Sequence, residues 1–268
     1  MQFFGKSDTG KKRRENQDSF ITEQLYENAV LCLVCDGMGG ANGGSIASSM
    51  ACREFTKHVK KKLSDIKQQD QVRFDDKNPE AEKLLKRAIT LTNTAVFKKA
   101  LKEKELEGMG TTLVSALIID GKLYITNIGD SRLYLVNKDE IKRLTRDHSY
   151  VQTLVDLGQL TPEEAEKNPH KNIITRAIGT QKKVEPDLFF KDLSEGDVEY
   201  ILMCSDGLTN FVEEKEIHSI IKESESLESA CNILIDKANE NGGGDNITAV
   251  LIKLDTPAPE EKTEAKAE

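Results

Sequence analysis

The run AVLCLVCDG, residues 29–37, decides how the rest of this chain is read. Seven consecutive apolar positions end abruptly on an aspartate and a glycine. A short, continuously apolar run that stops at such a pair is a strand packed in a core, followed by a sharp bend. The same grammar recurs in QFFGKSD (2–8), DSFITEQL (18–25), TLVSALIID (112–120), KLYITNIGD (122–130), SRLYLVN (131–137), EIKRLT (140–145), VEYILMCSD (198–206) and NITAVLIKL (246–254). Between the third and fourth runs along the chain, Ala47, Ala51, Phe55, Val59 and Leu63 recur at a spacing of four. Ala81, Leu84, Leu85, Ala88, Thr92, Ala95 and Val96 repeat at three and four, so two long amphipathic helices are expected there. A second helical pair, about 213–221 and 227–239, precedes the last strand. Strands and helices do not alternate one by one, which disfavours a doubly wound parallel sheet. The predicted class is α+β: a central antiparallel β-sandwich of two sheets flanked by pairs of helices, in the layer order α-β-β-α.

One domain over 1–255 is expected, with a polar loop over 65–79 and a disordered acidic tail over 256–268. A formal charge of -8 and the lack of a basic stripe argue against a nucleic-acid groove. No apolar run reaches the roughly 20 residues of a membrane span, and MQFFGKSDTGKK lacks the apolar core of a signal peptide. The expected location is therefore cytoplasmic, without membrane insertion. Five scattered cysteines do not form a disulfide framework. Cys32 and Cys35 make a C-x-x-C, but a strand points them to opposite faces, and buried thiols are favoured over a zinc site.

The chemistry sits where strands meet aspartates. LCLVC leads to Asp36-Gly37, LYITNIG to Asp130, and ILMCS to Asp206-Gly207, while GGG leads to Asp245 just before the last strand. In antiparallel pairing the end of one strand lies beside the start of its neighbour, so these carboxylates can collect along one sheet edge. Gathered carboxylates repel unless cations lie between them, and a donor set made of oxygen alone selects Mg²⁺ or Mn²⁺ over zinc. Glycine after Asp36 lets the backbone bend, so that the Gly37 carbonyl can turn toward a metal. Any one of these pairs alone reads as turn chemistry; four of them ending or opening strands point to a site. Arg13, with a planar fork of donors suited to phosphate, precedes Asn16 and Asp18 at the head of a strand.

RxxNxD (13–18), DGMGG (36–40), GMGTT (108–112), GDSR (129–132), LTRDHS (144–149), RAIG (176–179), CSDGL (204–208) and GGGDNIT (242–248) occur in this order across nearly the whole chain. Together they resemble the bacterial branch of the protein phosphatase 2C, or PPM, family. The resemblance implies hydrolysis of phosphoserine and phosphothreonine in proteins by water activated at a binuclear Mn²⁺ or Mg²⁺ centre. It implies that Asp36 bridges two ions, that the Gly37 carbonyl binds one of them, and that Asp206 and Asp245 hold the other. Asp130 would join Asp206 at a third, weaker site, Arg13 would hold the phosphate, and Asp18 and Asn246 would support the ligands from behind. Residues 147–175 resemble the family's variable flap, with YVQTLVDLG and TPEEAEKN as helical pieces walling a substrate cleft. Phosphorylated proteins, the substrates of an opposing Ser/Thr kinase, are the implied partners, and a monomer is expected.

Two departures stand out. Gln17 replaces a Glu found in many members, which removes a negative charge, and Met38 stands where eukaryotic relatives often carry His, so no general acid is available there. His148 is the nearest helper among four histidines, with a structural role favoured. No cysteine has Arg six positions on, and D-x-D-x-[TV], GDxHG and GNHE are all missing, which disfavours other phosphatase chemistries. Gly5-Lys6-Ser7 lacks the upstream glycine of a P-loop, and GMGGANGG breaks G-x-G-x-x-G at Asn42. The remaining alternative is a non-catalytic phosphoprotein-binding module on the same fold, which would normally have lost one or more of these aspartates.

Overall fold

The computed structural model describes residues 1–67, 79–194 and 197–255. Its centre is two antiparallel sheets. The first contains β1 (Gln2–Asp8), β7 (Arg132–Val136), β8 (Ile141–Arg143), β10 (Tyr200–Cys204) and β11 (Ile247–Lys253), in the order β1-β11-β10-β7-β8. The second contains β2 (Asp18–Tyr26), β3 (Ala29–Met38), β5 (Leu113–Ile119), β6 (Lys122–Ile128) and β9 (Asp187–Asp192), in the order β2-β3-β5-β6-β9, with the short β4 (Gly110–Thr111) paired to the end of β3. Outside the second sheet lie α1 (Gly40–Lys67) and α2 (Pro79–Lys102); outside the first lie α6 (Glu214–Glu223) and α7 (Leu227–Glu240), while the short α3 (Tyr150–Asp156) and α4 (Pro162–Glu166) follow β8.

Strand alternation builds the three apolar layers. In β3, Val30, Cys32 and Val34 enter the layer between the sheets, beside Ile201, Met203, Val250 and Ile252. Their neighbours Leu31, Leu33 and Cys35 face α1 and α2, against Ala47, Ala51, Phe55 and Leu85. A strand buried on both faces has no polar side, which is why 29–35 reads as an unbroken apolar run. Cys32 and Cys35 thus belong to different layers, and all five cysteines are buried thiols.

The α-β-β-α order matches the expectation. At its two ends the predicted loop is helical instead: residues 65–67 continue α1, with no Gly or Pro to stop it, and Pro79 opens α2. Residues 68–78, most of that predicted loop, and the predicted tail 256–268 lie outside the described residues. Among the described residues four elements escaped the sequence reading. They are β4, β9, the 3-10 turn Lys104–Leu106 and the one-turn helix α5 (Asp206–Thr209). Among the described residues no helix is long and apolar enough to cross a membrane.

Candidate metal and phosphate site

All the predicted carboxylates come to one end of the sandwich. Strands β3, β6 and β10 finish there, while β2, β7 and β11 begin there. Asp18 opens β2 directly opposite Asp36 in β3. Cys204 closes β10 opposite Arg132 and Ala249, which places Asp206 beside the Asp130 turn and the start of β11. The segments 9–17 and 129–131 pass from one sheet to the other at this end, so the two sheets share the site.

Close backbone approach sets the spacing. A Cβ on Gly207 would lie 1.9 Å from the Asn246 carbonyl oxygen, and one on Gly37 would lie 2.1 Å from that of Gly44. Only glycine lets the Asp206 turn touch the Asp245-Asn246 turn, and lets the end of β3 touch the first turns of α1.

The charges press on one another. Burial pushes the Asp36 carboxyl well above the usual range, and Asp18, Asp206, Asp130 and Asp245 push it further. Burial likewise raises Asp206, aided by Asp245, and raises Asp130, aided by Asp206 and Asp147. Acids gathered this closely away from water hold on to protons unless a cation lies between them. Asp18 is pushed up to about 7 by burial, although the Thr248 and Ser205 hydroxyls oppose the shift.

Its Oδ2 accepts from Ser205 Oγ at 2.7 Å and from Thr248 Oγ1 at 2.6 Å. With the Thr248 proton so committed, Ser7 Oγ donates to Thr248 at 2.8 Å and in turn accepts from Asn16 Nδ2 at 2.7 Å. Asn246 Oδ1 accepts from the Gln17 amide at 2.8 Å, and its Nδ2 donates to the carbonyls of Thr9 and Glu15, so this one side chain stitches the Arg13 loop to the head of β11. Arg13, 53% exposed, donates from Nη2 to Asp245 Oδ2 at 2.7 Å. Thr112 Oγ1 accepts from the Asp36 amide at 2.8 Å and meets Ser131 Oγ at 2.7 Å, joining the Asp36 and Asp130 turns.

His148 is 7% exposed, and its Nδ1 accepts from the Gly129 amide at 3.0 Å while its Nε2 lies 3.1 Å from Asp187 Oδ2. It is a clamp on the Asp130 turn, in keeping with the structural role favoured for it. The sequence reading did not single out Ser205, Thr248, Thr112 or Asn210. Ser205, Thr248 and Thr112 lie inside the CSDGL, GGGDNIT and GMGTT motifs, but the register that sets Ser7 opposite Thr248 is visible only in the fold.

A cation fits this donor set. Oδ1 of Asp18, of Asp130 and of Asp206 are each buried without a hydrogen-bond partner, a costly state for a carboxylate and a natural one for an oxygen facing a metal. Among the described residues no three His, Cys, Asp or Glu side chains are placed so that together they could hold a metal ion, so the fit rests on the chemistry of the donors and on these partnerless oxygens. The cluster consists of oxygen donors only, as Mn²⁺ and Mg²⁺ prefer.

The family model for protein phosphatase 2C matches residues 7–239. The chain belongs to the protein phosphatase 2C family. Among 2C relatives, the serine/threonine phosphatase stp of Listeria monocytogenes is 37% identical over 250 residues, covering 93% of this chain and 94% of its own. The crystal structure of serine/threonine phosphatase Stp1 from Staphylococcus aureus superposes with a TM-score of 0.85 at 35% identity, covering 95% of each chain. The catalytic domain of the serine threonine protein phosphatase PstP, solved in complex with two manganese ions, gives a TM-score of 0.75 at 34% identity, covering 93% of this chain and 96% of that one.

Proposed function

We propose that this 2C phosphatase hydrolyses phosphoserine and phosphothreonine in proteins at a binuclear Mn²⁺ or Mg²⁺ centre held by Asp36, the Gly37 carbonyl, Asp206 and Asp245, with Asp130 serving a third, weaker ion. The observation that carries this reading is the set of buried, mutually repelling carboxylates with partnerless oxygens at one end of the sandwich. Hard divalent cations supply such a site with Lewis acidity toward phosphoryl oxygens and with a water of lowered pKa.

The chain's own groups do the rest. Arg13 is half exposed at the mouth of the site, and its guanidinium exchanges Asp245 for the phosphoryl oxygens, which it grips with two parallel donors. Asn246 holds the Arg13 loop in register with Asp245, so the phosphate and the ligands keep one spacing. Asp18, fixed by Ser205 and Thr248, presents its free oxygen toward the cluster. Met38 offers no proton, so the leaving alkoxide would take its proton from metal-bound or bulk water. Residues 147–175 form the flap, and phosphoproteins made by a Ser/Thr kinase are the substrates. A cytoplasmic monomer completes the reading.

Hydrolysis of p-nitrophenyl phosphate and of a phosphothreonine peptide tests it. Turnover should require Mn²⁺ or Mg²⁺, vanish with EDTA, and fall at least about 10²-fold in Asp206→Asn. Turnover that survives EDTA, or none with any divalent cation, overturns the assignment; the second result would favour the non-catalytic module.

A further inference from the structure

Segment 147–175 is fastened to the site in three places. Arg132 grips Asp147 through Nε and Nη2, the latter at 2.7 Å from Oδ2. His148 exchanges hydrogen bonds with Gly129, donating from its amide to the carbonyl and accepting at Nδ1. The third tie reaches the carboxylates from the far end of the segment. Lys171 Nζ donates to Asn210 Oδ1 at 2.9 Å, and Asn210 Nδ2 donates to Asp206 Oδ2 at 2.9 Å.

The chemistry of the partners fixes the amide orientation, since a lysine can only donate and an ionised carboxylate can only accept. Asn210 is itself rigid, because it caps α5 with its amide bonded to the Asp206 carbonyl at 2.8 Å. Asp206 Oδ1, the oxygen that Asn210 leaves alone, is the partnerless one.

On the other side, Lys171 belongs to a turn that carries the exposed apolar face of the segment. Its amide bonds to Asn168, and the Ile173 carbonyl accepts from the Tyr150 amide at 2.8 Å. The His170 ring meets the Tyr150 ring edge-on. Tyr150 and Ile173 are 43% and 49% exposed, large apolar groups facing solvent on adjoining backbone.

We propose that Lys171 and Asn210 are a positioning pair that locks the Tyr150–Ile173 face to Asp206, so that this face meets the polypeptide around a phosphorylated residue in a fixed place. The pair touches neither phosphate nor reacting atoms. It therefore acts on substrates with chain on either side of the phosphate, and leaves small aryl phosphates alone. Because Asp206 is a metal ligand in the function proposed above, on which this inference rests, the pair also ties cation binding to the order of the segment, and the linkage must run both ways.

Three forms of the chain test this: wild type, Lys171→Met, which keeps the stem and loses the donor, and Lys171→Arg, which restores one. In Lys171→Met the KM for a phosphothreonine peptide should rise about threefold to tenfold, the net worth of one typical hydrogen bond. The kcat on the peptide and both constants on p-nitrophenyl phosphate should stay within about twofold. In wild type, Mn²⁺ should slow amide hydrogen exchange over 168–174; Lys171→Met should lose that protection, and Lys171→Arg should regain both effects. Unchanged peptide KM with unchanged protection overturns the proposal, as does an equal loss on peptide and aryl phosphate. Calorimetry of Mn²⁺ binding to Asp206→Asn separates the two readings: if Asp206→Asn binds Mn²⁺ as wild type does, the metal assignment has failed rather than the pair.

Discussion

At the scale of single residues, the site is a place where acids are held against their preference. Asp18 shows it most directly, with its carboxyl raised from 3.8 to about 7, first by burial and then by Asp206 and Asp245. In the metal-free protein, between those two values the folded chain binds a proton that the unfolded chain does not. Stability therefore falls as pH rises from about 4 to 7 and is lowest above 7, the reverse of an ordinary salt-bridged carboxylate. Asp18→Asn keeps an oxygen to accept from Ser205 and Thr248 while removing the charge. In EDTA at pH 8 it should melt about 3–8 °C above wild type, and the gap should shrink steadily toward pH 4.5. Calorimetric melts across that range check it, and a gap independent of pH would assign the effect to packing instead. With Mn²⁺ present the same variant should be less active, because a stabilising change at a strained site commonly costs function. These residue roles were legible only in part. Asp36, Asp130, Asp206 and Asp245 announce themselves by ending or opening strands, whereas Ser205 and Thr248 are small polar residues whose purpose appears only once β2 of one sheet packs over β10 and β11 of the other.

At the scale of elements, strand ends matter more than strand interiors. Strands such as β3, β5 and β11 could be read from the sequence because burial on both faces leaves no polar position. By contrast β9 hid, because it is an edge strand paired only to β6, half-buried at every position, with Asp187 and Asp192 as its end residues. The two residues of β4 become a strand only through pairing with Gly37 and Met38, and the four of α5 carry no period to detect. Those short pieces are what finish the site, since α5 begins at Asp206 and packs against the head of β11. Gly207 permits that contact, with its missing Cβ 1.9 Å from the Asn246 oxygen. Gly207→Ala should cost about 2–4 kcal/mol in urea unfolding, because backbone and not a flexible side-chain tip must move. It should also weaken Mn²⁺ binding by displacing Asp206 from Asp245. Native stability together with native Mn²⁺ affinity would show that the two turns have room to spare.

At the scale of the whole molecule, the layer order followed from the run of strands and helix pairs, but the sheet order did not. Strand β1 pairs with β11 along its full length, Gln2 opposite Lys253, and no local pattern reports a partner at the other end of the chain. That closure brings the Arg13 loop to Asp245 and gathers acids from both sheets in a protein whose formal charge is already -8. The consequence is a fold whose apolar layers work against a concentrated repulsion at one end. A divalent cation bound there by the folded chain alone stabilises it by mass action, about 2.7 kcal/mol at a hundred times the dissociation constant. For a chain of this size that corresponds to a rise in melting temperature of about 5–10 °C. The rise should grow with the logarithm of Mn²⁺ concentration, be reversed by EDTA, and be largely lost in Asp206→Asn. Potassium chloride at matched ionic strength should give much less, since screening acts weakly on buried charges. Equal melting in EDTA and in saturating Mn²⁺ would mean that the acids are neutralised by protons alone, and that the cluster is not a metal site.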